Sequence, residues 1–90
     1  MVKRKTPDPE TSALAAQIGR RVRALRLGRG LTQTILAERA GLTRIYIGEI
    51  ERGVRDNPTL AVLRHIADGL GVPVRDLFPH GDTSATNDDP

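Results

Sequence analysis

Apolar residues recur along the chain at helical spacing, and five helices follow from them. Leu14, Ile18, Val22 and Leu25 fall three or four residues apart and predict a first helix over about 12–28, with Thr11 or Ser12 able to cap its start. Thr32 is a capping candidate for a second helix over 33–40, after which Gly41 suits the left-handed backbone that ends a helix. Thr43 stands in the same relation to a third helix over 44–52, closed by Gly53. The loop GVRDNP separates it from a fourth, opened by Asn57 or Thr59 and carrying Leu60, Leu63, Ile66, Ala67 and Leu70 before Gly71. A short fifth, over about 73–78, admits Pro73 in its first turn and tucks Leu77 and Phe78 back as a lid. No segment reads as a strand, and no internal repeat is visible. The pattern predicts a compact all-α domain over 11–79. The flanks, 1–10 and 80–90, hold proline and charge with little to bury, and read as a disordered basic arm and a disordered acidic tail.

The second and third helices, over about 33–52, meet the demands of a helix-turn-helix. Two short helices joined by a three-residue turn need a small residue where their axes approach, which Ala37 supplies. The turn needs a residue that tolerates positive φ, which Gly41 supplies. Ile47 and Ile50 then anchor the third helix in the core.

Charge changes what this unit is for. The chain has 90 residues and a net charge of +3, and its middle, 11–79, sets eleven arginines against six acids. Every basic residue in that stretch is arginine, which makes planar bidentate bonds to phosphate and to guanine edges that lysine cannot copy. A basic domain of this kind carries the electrostatic footprint of nucleic-acid binding. With one tyrosine, one phenylalanine and no tryptophan, the chain lacks the stacking platforms of single-strand or RNA binders. Double-stranded DNA is the expected partner. There is no cysteine, no apolar run long enough for a membrane span and no signal-peptide pattern, so a cytoplasmic location is expected, with no membrane association. His65 and His80 stand 15 residues apart with no carboxylate cluster at ligand spacing, and GLG at 69–71 is a helix end with no GK[ST] after it. No metal, no cofactor and no catalytic constellation is expected.

At about 100° per residue, Arg44, Ile45, Gly48, Glu49 and Arg52 share an arc of roughly 140° opposite Ile47 and Ile50. Arg44 can grip guanine O6 and N7, Ile45 suits a thymine methyl, and Glu49 can accept from cytosine N4. Gly48, in the middle of the arc, is expected to let the backbone approach base edges. Tyr46 lies at the flank, within reach of a sugar–phosphate strand. Thr32 and Gln33 open the second helix, whose unpaired N–H groups and positive dipole end suit a phosphate.

LTQTILAERAGL, IGEIERG, NPTLAVLRHIADGLGV and VRDLF, in that order, resemble signatures of the phage Cro/repressor (Xre-type) family of helix-turn-helix regulators. The resemblance covers about two-thirds of the chain and implies a lambda-repressor-like fold. Among its members the chain is most similar to restriction–modification controller proteins. It implies base readout through Arg44, Ile45 and Glu49, and phosphate contacts through Gln33, Thr43, Arg55 and Asn57. A buried ion pair between Arg26 and Glu51 is implied as scaffold. Ile35 and Ile45 depart from the polar residues usual at those positions, and the loop GVRDNPT is one residue longer than the common form. The expected function is a homodimeric transcriptional regulator on a two-half-site operator, occluding or recruiting RNA polymerase. The alternative is an antitoxin or other protein-interaction module on the same scaffold, which Ile35 and the tails favour.

Overall fold

A computed structural model describes residues 8–55 and 58–79. Each of its four α-helices begins on a side-chain oxygen that accepts a backbone N–H three residues on. Asp8 does this for α1 (Pro9–Gly28), Thr32 for α2 (Gln33–Ala40), Thr43 for α3 (Arg44–Arg52) and Thr59 for α4 (Leu60–Leu70). The caps of α2, α3 and α4 matter because helices of 8 to 11 residues are too short to persist without support at their ends.

Two of the expected boundaries need correction. α1 starts at Pro9, ahead of the expected 12, because Asp8 caps it and proline fits a first turn that needs no donor. Pro9 and Glu10 therefore belong to the helix, with Asp8 as its cap, and not to an arm, while 1–7 and 80–90 lie outside the described residues. The fifth helix is a 3-10 turn, Val74–Leu77, with Pro73 as its cap and not inside it. The described fold is thus four α-helices and one 3-10 turn.

The ends of α2 and α3 share one device. Gly41 takes φ 71°, so that Leu42 N–H reaches back to the Ala37 carbonyl at 2.9 Å and Gly41 N–H to Glu38 at 3.3 Å. These are the bonds of a Schellman motif, and they reverse the chain within three residues. Gly53, at φ 73°, repeats it through Val54 N–H on the Glu49 carbonyl at 3.1 Å.

Packing follows from these directions. α1 lies on α3, α2 lies between α3 and α4, and the 3-10 turn closes against α4 and α1. Val22, Leu36, Ile47, Ile50, Ile66 and Leu77 are the largest fully buried side chains, one or two from each element. Arg21 Nε donates to the Asp76 carbonyl at 2.7 Å and pins the turn so that Leu77 is buried, with Phe78 half-buried beside it. The inward stripe of α1 is Ala15, Ile18, Gly19, Val22 and Arg26. Leu14, expected in that stripe, is 37% exposed, and Leu60 at the first turn of α4 is exposed as well.

Gly19 is where the backbones of α1 and α3 come closest. A methyl group there would overlap the Ile50 carbonyl oxygen and stand 2.9 Å from that of Glu51, and neither is a flexible side chain that could move aside. Gly28, in the same helix, has nothing within 4 Å of such a methyl. Gly19→Ala is expected to destabilise the fold by about 1–3 kcal/mol or more through overpacking. Gly28→Ala should be neutral or stabilise by up to about 1 kcal/mol. Urea unfolding of both variants checks the contrast, and two equal midpoints would contradict it.

Candidate nucleic-acid interface

The site is built outward from a buried ion pair. Arg26, in the last turn of α1, sends Nε to Glu51 Oε2 at 2.6 Å and Nη2 to Glu51 Oε1 at 3.0 Å, a planar fork on a carboxylate. Both residues are nearly inaccessible, at 7% and 8%. Arg26 Nη1 also donates to the Leu31 carbonyl at 2.8 Å, just before α2. One guanidinium thereby ties α1, α3 and the entry to α2. The Glu51 hydrogen bond holds Arg26 above the ordinary guanidinium pKa although burial alone pulls it down. A pKa raised in this way stabilises the fold at all pH values below the unfolded guanidinium pKa, so this bond gives Arg26 no pH switch near neutrality.

Gln33 extends the network to the surface. Its Nε2 donates to Glu51 Oε1 at 3.1 Å, and its Oε1 accepts from Arg44 Nη1 at 3.1 Å. The orientation of this amide is dictated: a carboxylate can only accept, so the nitrogen faces Glu51 and the oxygen is left for Arg44. Arg44, the first residue of α3, is exposed and held from behind by a chain of hydrogen bonds that ends in the core.

Gly48 differs from expectation. It is buried, with Gln33 Nε2 3.8 Å and Arg52 Nη1 3.2 Å from the position of a side chain there. Its lack of a side chain makes room for the Gln33 amide and the Arg52 guanidinium. The exposed part of the arc is therefore Arg44, Ile45 and Arg52, with Ile45 64% accessible.

Thr32 and Thr43 serve first as caps, accepting from Ile35 N–H and Tyr46 N–H, each at 3.0 Å. Capping uses the hydroxyl as acceptor and leaves its O–H to donate, which is the polarity a phosphate oxygen needs. The N–H groups of Gln33 and Thr34 find no acceptor among the described residues, as the start of a helix implies.

Glu49 and Arg55 meet each other at the flank. Arg55 Nε donates to Glu49 Oε1 at 2.8 Å, and its guanidinium carbon lies 5.0 Å from the centre of the half-buried Tyr46 ring. Both residues were expected on DNA separately. Asn57, and Asp56 before it, lie outside the described residues. Gly19 and the bridging role of Gln33 were missed by sequence reasoning. A glycine inside a helical repeat was the available signal for the first; nothing local signals the second. Among the described residues no group of three His, Cys, Asp or Glu side chains stands close enough to hold a metal ion, and no helix is long and apolar enough to cross a membrane.

Residues 17–80 match the model of a family described as a helix-turn-helix domain. The chain belongs to this family. Its relatives are regulators of the Cro/repressor (Xre) type and restriction–modification controller proteins. This helix-turn-helix chain is 47% identical over 57 residues to the immunity repressor protein of Bacillus phage phi105, covering 63% of the chain and 39% of that protein. Among solved structures, the restriction–modification controller protein C.AhdI from Aeromonas hydrophila is similar at 41% identity and TM-score 0.69, over 71% of this chain and 96% of that one. SinR, the master regulator for biofilm formation, solved in complex with DNA, is similar at 35% identity and TM-score 0.64, over 67% of this chain and 95% of that one. The chain spans 39% to 59% of the length of the first curated relatives it matches.

The ion pair gives a direct test of what holds this site. Glu51→Ala leaves Arg26 buried without a counter-charge, and is expected to cost about 3–5 kcal/mol. Arg26→Met combined with Glu51→Leu should cost less than Glu51→Ala alone, because no charge is stranded. Chemical denaturation of the three proteins measures this, and a loss below about 0.5 kcal/mol for Glu51→Ala would contradict a buried pair.

Proposed function

We propose that the chain is a sequence-specific regulator of transcription that binds double-stranded DNA as a homodimer, with α3 in the major groove. The observation that carries this reading is Arg44, an exposed guanidinium at the start of α3 whose position is set through Gln33 and Glu51. A long flexible arginine bound from behind loses less freedom when it meets a base, and the planar fork left to it matches guanine O6 and N7. Ile45 beside it suits a thymine methyl, and Arg52 further along the arc suits phosphate. Thr32, Gln33, Thr43 and Tyr46 are assigned to the backbone, where α2's first N–H groups and three hydroxyl donors meet phosphate oxygens.

A single domain of this size covers too little groove for tight specificity, and pairing two half-sites multiplies affinity. In the dimer the two α3 helices stand about 34 Å apart, one turn of DNA. We place the contact around Val74, Phe78 and the end of α4. Occlusion or recruitment of RNA polymerase in the cytoplasm is the proposed mode of action. SinR, 35% identical, was solved on DNA, and its likeness supports the assignment. The role requires no catalysis, and none is assigned.

Arg44→Ala and Gln33→Ala separate specification from positioning. Losing Arg44 should cost about 1–3 kcal/mol on the tightest duplex and relax preference at one base pair per half-site. Its binding to scrambled DNA should hardly change. Gln33→Ala should weaken both duplexes, and cost some preference as well because it releases Arg44. Titrations of the two duplexes at several salt concentrations measure this. Equal weakening of both duplexes by Arg44→Ala would remove Arg44 from base readout.

A further inference from the structure

The cluster on the flank of α3 has no place in a scheme where each cation simply takes a phosphate. Arg55 leaves the helix two residues past Gly53, and the backbone there is held by Gly53 N–H on the Ile50 carbonyl and Val54 N–H on that of Glu49, each at 3.1 Å. From that fixed point its side chain folds back over two residues of one helical face. Nε donates to Glu49 Oε1 at 2.8 Å, and the guanidinium lies over the Tyr46 ring at 5.0 Å. Glu49 and Tyr46 are three apart on α3, so a single planar group spans both. The Glu49 side chain is 27% exposed and that of Arg55 54%.

A carboxylate on a face turned to DNA is repelled by phosphates on both strands. It becomes tolerable when a cation sits on it, and useful when one oxygen stays available. Both conditions hold here. Arg55 occupies Oε1, and Oε2 has no partner among the described residues. The cation–π contact with Tyr46 restrains the guanidinium, and the hydrogen bond to Oε1 restrains the carboxylate it holds. An exposed pair of this kind adds little to stability, so its effect is sought in geometry. Glu49 holds Arg55 above the ordinary guanidinium pKa, chiefly through the hydrogen bond.

We propose that Arg55 is a positioning residue for base selection: it clamps Glu49 against the Tyr46 ring so that the remaining carboxylate oxygen accepts from a cytosine N4 amine. This deepens the reading of α3 as the recognition helix and rests on it. It removes Arg55 from the phosphate contacts to which resemblance assigned it. The two roles differ in what they do to sequence preference. A phosphate contact weakens all duplexes alike and contributes to the salt slope, whereas a positioning residue alters preference at one base pair.

The experiment uses the full chain, with Glu49→Ala, Arg55→Ala, Arg55→Lys and the double alanine variant. Each is titrated against the tightest duplex and against duplexes altered one base pair at a time, at several salt concentrations. Glu49→Ala should reduce discrimination at one base pair per half-site by about tenfold. Arg55→Ala should reduce it at the same base pair, and the double variant no further, with the salt slope unchanged. Arg55→Lys, which keeps the charge but not the planar fork, should lose the preference too. Tyr46 is the only tyrosine in a chain without tryptophan, so its emission reports on the clamp without DNA. Arg55→Ala should change that emission in the unbound protein, and an unchanged spectrum would overturn the proposal. So would uniform weakening of all duplexes by Arg55→Ala with a slope flatter by about one unit per monomer. If the unmodified protein prefers no duplex at all, the recognition reading fails and takes this proposal with it. Preference in the unmodified protein with uniform loss in Arg55→Ala overturns this proposal alone.

Discussion

The buried pairing of Arg26 with Glu51 is the interaction on which the rest of the molecule depends. Removing two charges from water is costly, and a hydrophobic pair of similar size is often as stable. What the ion pair supplies here is direction. Three nitrogens of one guanidinium reach α3 and the loop before α2, so a single group sets the relation of three elements. The same carboxylate then receives Gln33, and through it the position of Arg44 is linked to the core. Specificity in the groove, on this account, begins in the scaffold.

A second constraint is steric. α1 crosses α3 where Gly19 meets the carbonyls of Ile50 and Glu51, so the close approach falls beside the residue that carries the charge. Gly48, on the other side of α3, leaves room for the Gln33 amide. Gly19 brings α1 and α3 together, and Gly48 admits the polar link from α2 to α3. α3 is thus crowded on one face and open on the other, which suits a short helix that has to dock as a rigid edge.

Much of the fold was legible because its punctuation is local. Thr32, Thr43 and Thr59 as caps, and Gly41, Gly53 and Gly71 as ends, bind within a few residues of themselves, so α2, α3 and α4 carry their own limits. α1 was harder. Asp8 and Pro9 are a start signal hidden in a charged, proline-rich stretch, and the inward stripe contains Gly19 and Arg26, which a search for large apolar residues passes over. The final turn looked helical from its apolar pair, but four residues after a proline close more tightly as a 3-10 turn. At the site, helical periodicity alone placed Arg44 and Ile45 outward. It could not show that Glu49 and Arg55 meet, since that contact depends on how the chain reverses at Gly53. Nor could it show Gly48 covered, because the atoms that cover it come partly from α2.

The central claim is that the outer edge of α3 reads base pairs, in two copies at fixed spacing. Selection of bound duplexes from a random-sequence pool tests it most directly. The account predicts enrichment of one motif with two related half-sites, centred about one helical turn or 10–10.5 base pairs apart, each holding a guanine that Arg44 selects. Recovery of unrelated sequences with no shared motif, at affinities that follow only salt and length, would contradict it.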